Sequence, residues 1–412
     1  MNQSLRQDAE HIVRSAICSV KPDEAVRRAL SNAHYPGRVF LVAAGKAAWQ
    51  MASTAIACLP VPIAGGVVIT KYKHVLHPLP GVSCYEAGHP VPDENSFFAT
   101  QAALDLTRDL HPTDTVLFLL SGGGSALFEK PLIPALELQD ITQQLLSSGA
   151  NIVEMNTIRK RLSAVKGGRF AKWCFPAAVQ SIILSDILGD PLDMIASGPA
   201  AADPFTCDQA QSIAQKYHLS LSPAARRCLM EETPKYLENV NSQVIGSVRQ
   251  LCASAADACR ELGYEPIYLT DQLCCQAKEA GSFLAGILKS HANDGRRVAY
   301  LAGGETVVHL TGKGLGGRNQ ELALAAAEGI AGIHHAAVIS VGSDGTDGPT
   351  DAAGGYVDGD TFAALQQSGL SVFDVLENND AYHALQQVGG LIITGPTGTN
   401  VNDIAVALLD LQ

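Results

Sequence analysis

Residues 38–56, RVFLVAAGKAAWQMASTAI, decide the fold. An unbroken apolar run meets Gly45-Lys46 and then an Ala-rich stretch of helical character. A run without polar alternation suits a strand covered on both faces, as in parallel sheets. The same order of strand, glycine loop and helix start returns at 115–131, TVLFLLSGGGSALFEKP. At 178–199, AVQSIILSDILGDPLDMIASGP, an apolar strand ends in an acidic loop.

Working outward, residues 4–32 read as helix, GGVVIT (65–70) as strand, and 71–92 as loop carrying His74, His77 and His89. Helical patterns cover 94–109, 136–148 and 151–174 (one helix or two), and much of 208–262 around a polar middle. In the second half EPIYLT is a strand and 276–293 a helix, while RVAYLAGG and ETVVHL read as paired strands. A helix at 319–331, the strand HHAAVISVG, helices at 360–368 and 380–388, the strand GLIITG and a terminal helix after PTGTNVNDI complete the chain. Strands alternating with helices give a mainly parallel α/β architecture with some antiparallel pairing in the second half. The domain boundary is expected near 240, giving domains 1–240 and 241–412.

The 412 residues are 47% hydrophobic and 17% charged, enough apolar material for two or three packed domains. A formal net charge of -12 argues against nucleic-acid binding. The 10 cysteines include no C-x-x-C pair, so they read as small core residues of a reducing, cytoplasmic compartment. The N-terminus reads as an amphipathic helix rather than a signal peptide, and no apolar run is long enough to span a membrane.

The chemistry is expected in loops beyond the strand ends. Ser121-Gly122-Gly123-Gly124-Ser125 offers close backbone approach and two hydroxyl donors to a phosphate. Lys46 opens a helix, where its charge sign is unfavourable unless it meets an anion. Asn156, Arg159, Ser163, Lys166 and Gly167 would share one basic helix face. The stretch 303–322, GGETVVHLTGKGLGGRNQEL, joins Glu305, a glycine loop with Lys313 and Arg318 at a helix start, an anion site by backbone and dipole. Its G-x-G-x-x-G lacks the βαβ context of a dinucleotide fingerprint, and no Walker A sequence occurs. Asp186, Asp190 and Asp193 follow one strand, and Asp344, Asp347 and Asp351 another; such acids hold Mg²⁺ or take a hydroxyl proton. His74, His77 and His89 lack metal-ligand spacing, although His89 could lie near substrate. Phosphate loops with strand-end acids point to phosphoryl transfer from a nucleotide.

Seven stretches, AAGKAAWQM, SGGGSAL, NTIRKRLSAVKGGR, LSDILGDPLDMIASGP, GGETVVHLTGKGLGGRNQELAL, SVGSDGTDGPTDAAGG and GPTGTNVNDIAVAL, together resemble the glycerate 2-kinase family, once also labelled hydroxypyruvate reductase. The resemblance implies two α/β domains around a cleft, a larger N-terminal Rossmann-like domain and a smaller C-terminal one with a mixed sheet. It implies transfer of the γ-phosphate of ATP to the 2-hydroxyl of D-glycerate with Mg²⁺ or another divalent cation. It places active-site roles on Lys46 and Arg318. Lys46 would neutralise the transferring group; Arg318 would clamp the glycerate carboxylate or stabilise the same charge. Asp186 and Asp190 are candidates for metal or base duty. Ser121, Gly122, Gly123, Gly124, Ser125, Lys166 and Glu305 are expected around nucleotide phosphate, and Asn156 and Arg159 around glycerate. The expected partners are small molecules, with neither nucleic acid nor membrane; a homodimer stays open. A nicotinamide-dependent reductase is the competing reading.

Overall fold

The computed structural model describes residues 2–410. The chain forms two compact units, Ala25–Ile245 and a second made of Met1–Glu24 with Gly246–Gln412. This differs from the expected 1–240 and 241–412 division chiefly at the N-terminus. The helix Gln3–Ser19 packs in the second unit, on the helix Val248–Glu261. Asp8 on it accepts from the Tyr264 hydroxyl at 2.9 Å and pairs with Arg297 at 3.0 Å. The expected single N-terminal helix breaks, and Pro22 begins a separate one, Pro22–Leu30.

The Ala25–Ile245 unit holds a six-stranded sheet of β1 (Val39–Ala44), β2 (Ile63–Lys71), β3 (Val82–Ala87), β4 (Thr115–Leu120), β5 (Ala178–Leu184) and β6 (Val240–Gly246). Its order is β3-β2-β1-β4-β5-β6, and β1 pairs in parallel with both β2 and β4. The apolar runs of β1 and β4 are buried throughout, as continuous hydrophobic strands should be. Phe118, Phe128 and Phe170 pack together on one face; Trp49 and Met51 lie in the core of the other. β3 falls within the segment read as loop, because its sequence VSCYEA is polar enough for an edge.

The second unit holds β7 (Glu265–Leu273), β8 (Val298–Gly304), β9 (Ala336–Gly342), β10 (Gly354–Asp358), β11 (Leu391–Ile392) and β12 (Asp403–Leu409). The order is β11-β10-β9-β12-β8-β7. β7 and β8 run parallel, whereas β12 lies antiparallel between β9 and β8. The sheet is therefore mixed, as expected. Two local readings fail here. The terminal run DIAVALL is a fully buried central strand, not a helix; an apolar run without period fits either. ETVVHL is not a strand paired with β8: Val307 makes one isolated bridge, to Gln276. Among the described residues no helix is long and apolar enough to cross a membrane.

Candidate active site

The order of the first sheet reverses between β1 and β4, which leave the sheet side by side and send their helices apart. Lys46 follows β1 and the glycine loop follows β4, so both stand at this crossover. The two turns are sewn together. Lys46 N–H donates to the Gly122 carbonyl at 2.8 Å, and Ala47 N–H to Ser121 Oγ at 3.0 Å. Gly45, at φ +131°, leaves no room for a side chain, since a Cβ would stand 2.2 Å from Ser121 Oγ. A Cβ on Gly122 would stand 2.2 Å from Asp186 Oδ2. One on Gly123, whose φ is +85°, would stand 3.3 Å from Lys46 Cγ and 2.9 Å from the His89 ring. Lys46, Asp186 and His89 thus converge on a bare two-glycine backbone. Sequence reasoning had only brushed His89; its loop reaches the site because β3 ends beside β2.

The two hydroxyls of the loop are already engaged within the protein. Ser121 is buried and receives Ala47 N–H. Asn156 turns its amide NH₂ toward Met194 Sδ, which can only accept, so its Oδ1 takes the Ser197 hydroxyl at 3.0 Å. Ser197, with its proton spent, receives that of Ser125 at 3.1 Å. Ser125 therefore presents lone pairs rather than a donor to a ligand. Ser197 lies in a left-handed run, Ala196 (φ 51°), Ser197 (φ 61°) and Gly198 (φ 65°), a conformation L-residues resist. No sequence signal beyond the A-S-G-P turn marks it.

The expected basic stripe is not one helix face. The helix Ile152–Arg161 ends before Ser163, and Lys166 lies beyond it. Asn156 is buried, while Arg159 stays partly exposed and spends one N–H on the Ser125 carbonyl at 3.3 Å. Lys166 is a correction to the expected phosphate contact. It is fully buried, paired with buried Glu129 at 3.1 Å, and donates to the carbonyls of Ser125 (2.8 Å) and Phe128 (2.9 Å). Burial pulls its pKa down to about 8, against the pull of Glu129. Its place is behind the glycine loop, holding it.

Among the described residues no group of three or more His, Cys, Asp or Glu side chains is placed to hold a metal ion. A Mg²⁺ carried by phosphate oxygens and water needs only one or two carboxylates. The loop after β5 fits that use: Asp186 touches the glycine backbone, and Asp190 keeps a buried Oδ1 without a hydrogen-bond partner. Asp193 is not available in the same way, because buried Lys160 binds it at 2.9 Å and ties the loop down.

In the second unit the stretch that looked like a free anion cradle is closed from within. Thr311 and Gly312 N–H donate to Asn379 Oδ1, Lys313 N–H to Asn378 Oδ1, Gly314 N–H to the Asn378 carbonyl and Leu315 N–H to Asp380 Oδ1. The helix Arg318–Gly329 also has its anion already: Asp347 accepts the N–H groups of Asn319 (3.2 Å) and Gln320 (2.9 Å). Burial raises the Asp347 pKa to about 6 in spite of those bonds.

Arg318 stands at the same end. Asp403, the first residue of β12, takes Nε at 2.5 Å and Nη2 at 3.1 Å, and Glu305 takes Nη1 at 3.0 Å. Burial opposes the charge, but Asp403 and the neighbouring carboxylates outweigh it and raise the Arg318 pKa. Two of the five guanidinium N–H groups are hydrogen-bonded, both to Asp403, and Nη1 is ion-paired with Glu305. Glu305, expected near phosphate, is here a partner of Arg318 and of Asn402 Nδ2 at 3.1 Å. Asp403 was not singled out from the sequence. Its position in N-V-N-D-I, an acid opening an apolar run, was the available signal.

These two units, a parallel sheet with a loaded crossover and a mixed sheet around a carboxylate-bound arginine, define a class that comparison with known proteins identifies. Residues 8–230 match a domain of unknown function (DUF4147), and residues 298–403 match the MOFRL family. The chain is 50% identical over 413 residues to a D-glycerate 2-kinase of Thermotoga maritima, covering 99% of each. It is 41% identical to a glycerate 2-kinase of Pyrococcus horikoshii, over 90% of this chain and 88% of that one. Its structure is similar to the crystal structure of a glycerate kinase from Thermotoga maritima, with a TM-score of 0.96 at 49% identity over 99% of this chain and 100% of that one. Two Agrobacterium vitis relatives at 38% identity bear a hydroxypyruvate reductase name that is provisional in its own wording. The chain belongs to the glycerate 2-kinase family.

Proposed function

We propose that the protein transfers the γ-phosphate of ATP to the 2-hydroxyl of D-glycerate, giving 2-phospho-D-glycerate and ADP. The observation that carries this reading is the convergence of Lys46 and Asp186 on the bare Gly122-Gly123 backbone at the β1/β4 crossover. Phosphoryl transfer asks a protein mainly for positioning and charge stabilisation, and this arrangement supplies both. The Gly122-Gly123 backbone lets phosphate approach, and the Lys46 ammonium offsets charge on the transferring group. Asp186 and Asp190 would hold a divalent cation together with phosphate oxygens, and the cation would supply charge neutralisation for the transferring group. Arg318 is assigned to glycerate carboxylate or phosphoryl oxygen through the N–H groups that Asp403 does not take. Arg159, with one N–H on Ser125, is a second candidate for the carboxylate. The relatives' names support the substrate class, and two of them specify the 2-position.

The test is ADP release in a coupled assay with ATP, Mg²⁺ and D-glycerate. Turnover that falls at least about 100-fold in Lys46→Ala and in Arg318→Ala supports the assignment. Unchanged turnover in both would remove it. The reductase reading requires NADH consumption with hydroxypyruvate, and neither unit shows a dinucleotide fingerprint to support it.

A further inference from the structure

We propose that His89 is a catalytic residue of the crossover site, the group that takes the proton of the attacking hydroxyl. The proposal rests on the kinase reading above.

The geometry comes first. The Cδ2–Nε2 edge of the ring lies on Gly123, where a Cβ would stand 2.9 Å from Cδ2 and 3.0 Å from Nε2. Lys46 Cγ borders the same spot at 3.3 Å. Glycine at 123 is thus what lets imidazole, lysine stem and loop backbone share one small space. The ring is partly buried, yet among the described residues neither ring nitrogen has a hydrogen-bond partner. The other histidines of the 71–92 segment are used differently: His74 Nδ1 meets the Lys46 carbonyl at 3.1 Å, and His77 Nδ1 the Pro78 carbonyl at 3.1 Å. His89 alone of the three leaves both nitrogens to a ligand.

The charged surroundings fit a base. The charges of Lys46 after β1 and Lys71 at the end of β2 both act on the ring. Burial first, then these two cations, depress its pKa below the ordinary histidine value. At neutral pH the imidazole is uncharged and carries a lone pair. Asp186 lies against Gly122, next along the loop, and is the candidate for the cation. The two groups thus divide the work that the sequence had left to carboxylates alone.

The step balances simply. The substrate hydroxyl oxygen bonds to the γ-phosphorus, and the bond from that phosphorus to the β–γ bridging oxygen breaks. ADP leaves with the bond pair, and the hydroxyl proton passes to Nε2. The imidazolium returns it to solvent after product release.

The experiment compares wild type, His89→Gln and His89→Ala in steady-state ATP/D-glycerate kinetics from pH 5.5 to 9. Expected are a kcat about 100-fold lower in both variants, KM values for both substrates within about threefold, and loss of the acid limb that His89 protonation gives the wild type. Added imidazole should restore His89→Ala, through the space left over Gly123, and not His89→Gln. An unchanged pH profile and kcat would overturn the role of His89 while leaving the kinase reading intact. A lowered kcat with the acid limb retained and no imidazole rescue would also overturn it. Absence of ATP turnover in the wild type would instead sink the kinase reading.

Discussion

Asp403 grips Arg318 with both oxygens, Oδ2 on Nε at 2.5 Å and Oδ1 on Nη2 at 3.1 Å, from the first residue of the central strand β12. The guanidinium is thereby aimed before any ligand arrives. Asp403→Asn keeps the shape and removes the charge that orients Arg318. Loss of a charge-assisted pair costs about 2 kcal/mol, so kcat/KM for glycerate should fall on the order of 30-fold with little change in KM for ATP. Steady-state kinetics with each substrate varied would check this; an effect confined to ATP would contradict it.

Gly122→Ala moves Asp186 without straining the backbone. The Gly122 φ is not in the left-handed region, and the three atoms nearest the new Cβ are those of the Asp186 carboxylate, from 2.2 Å. Folding should survive while Asp186 is pushed aside, and a displacement of about 1 Å in such a site can cost about 100-fold in kcat. The expected pair of results is an unchanged melting temperature and a collapsed kcat.

Lys166→Met separates a structural from a ligand-binding lysine. Removing one partner of the buried Lys166–Glu129 pair strands the other charge, at a cost of about 3–5 kcal/mol. The urea midpoint should drop accordingly, and Lys166→Met with Glu129→Leu should recover most of it. A phosphate-contacting lysine would instead raise KM for ATP and leave the midpoint alone.

Asp347 gives a pH signature. Its carboxyl titrates near 6 in the folded protein because it is buried, against about 3.9 for an unfolded chain. Between those values the folded state holds a proton that the unfolded state has released. Stability therefore falls as pH rises from about 4 to about 6 and is flat with respect to this group above that, by on the order of 2–3 kcal/mol in all. Urea unfolding of wild type and Asp347→Asn across this window should show the wild type losing ground relative to the variant as pH rises. Parallel curves would contradict the burial argument.

Much of the architecture was legible. The runs FLVAA and FLL announced covered strands, and Gly45-Lys46 and SGGGS marked the strand ends that meet at the β1/β4 crossover. What stayed hidden depended on partners far along the chain. The 311–315 loop looked open because the groups that fill it, Asn378, Asn379 and Asp380, lie more than sixty residues away. DIAVALL carries no period by which a buried strand could be told from a buried helix, and with it Asp403 went unnoticed. Lys166 was placed by helical spacing on a shared basic face, whereas burial beside Glu129 decides its place. The R-N-Q triplet was read for its arginine, yet Asn319 and Gln320 fix Asp347, and Asn319 receives Ser340 Oγ at 2.6 Å.

Phosphorus NMR of the product formed from ATP and D-glycerate tests the central claim most directly. The predicted result is a monoester on the 2-hydroxyl, accumulating in step with ADP and lost in Lys46→Ala. A 3-phosphate would contradict the proposed regiochemistry. No transferred phosphate, together with NADH consumption on hydroxypyruvate, would contradict the whole reading.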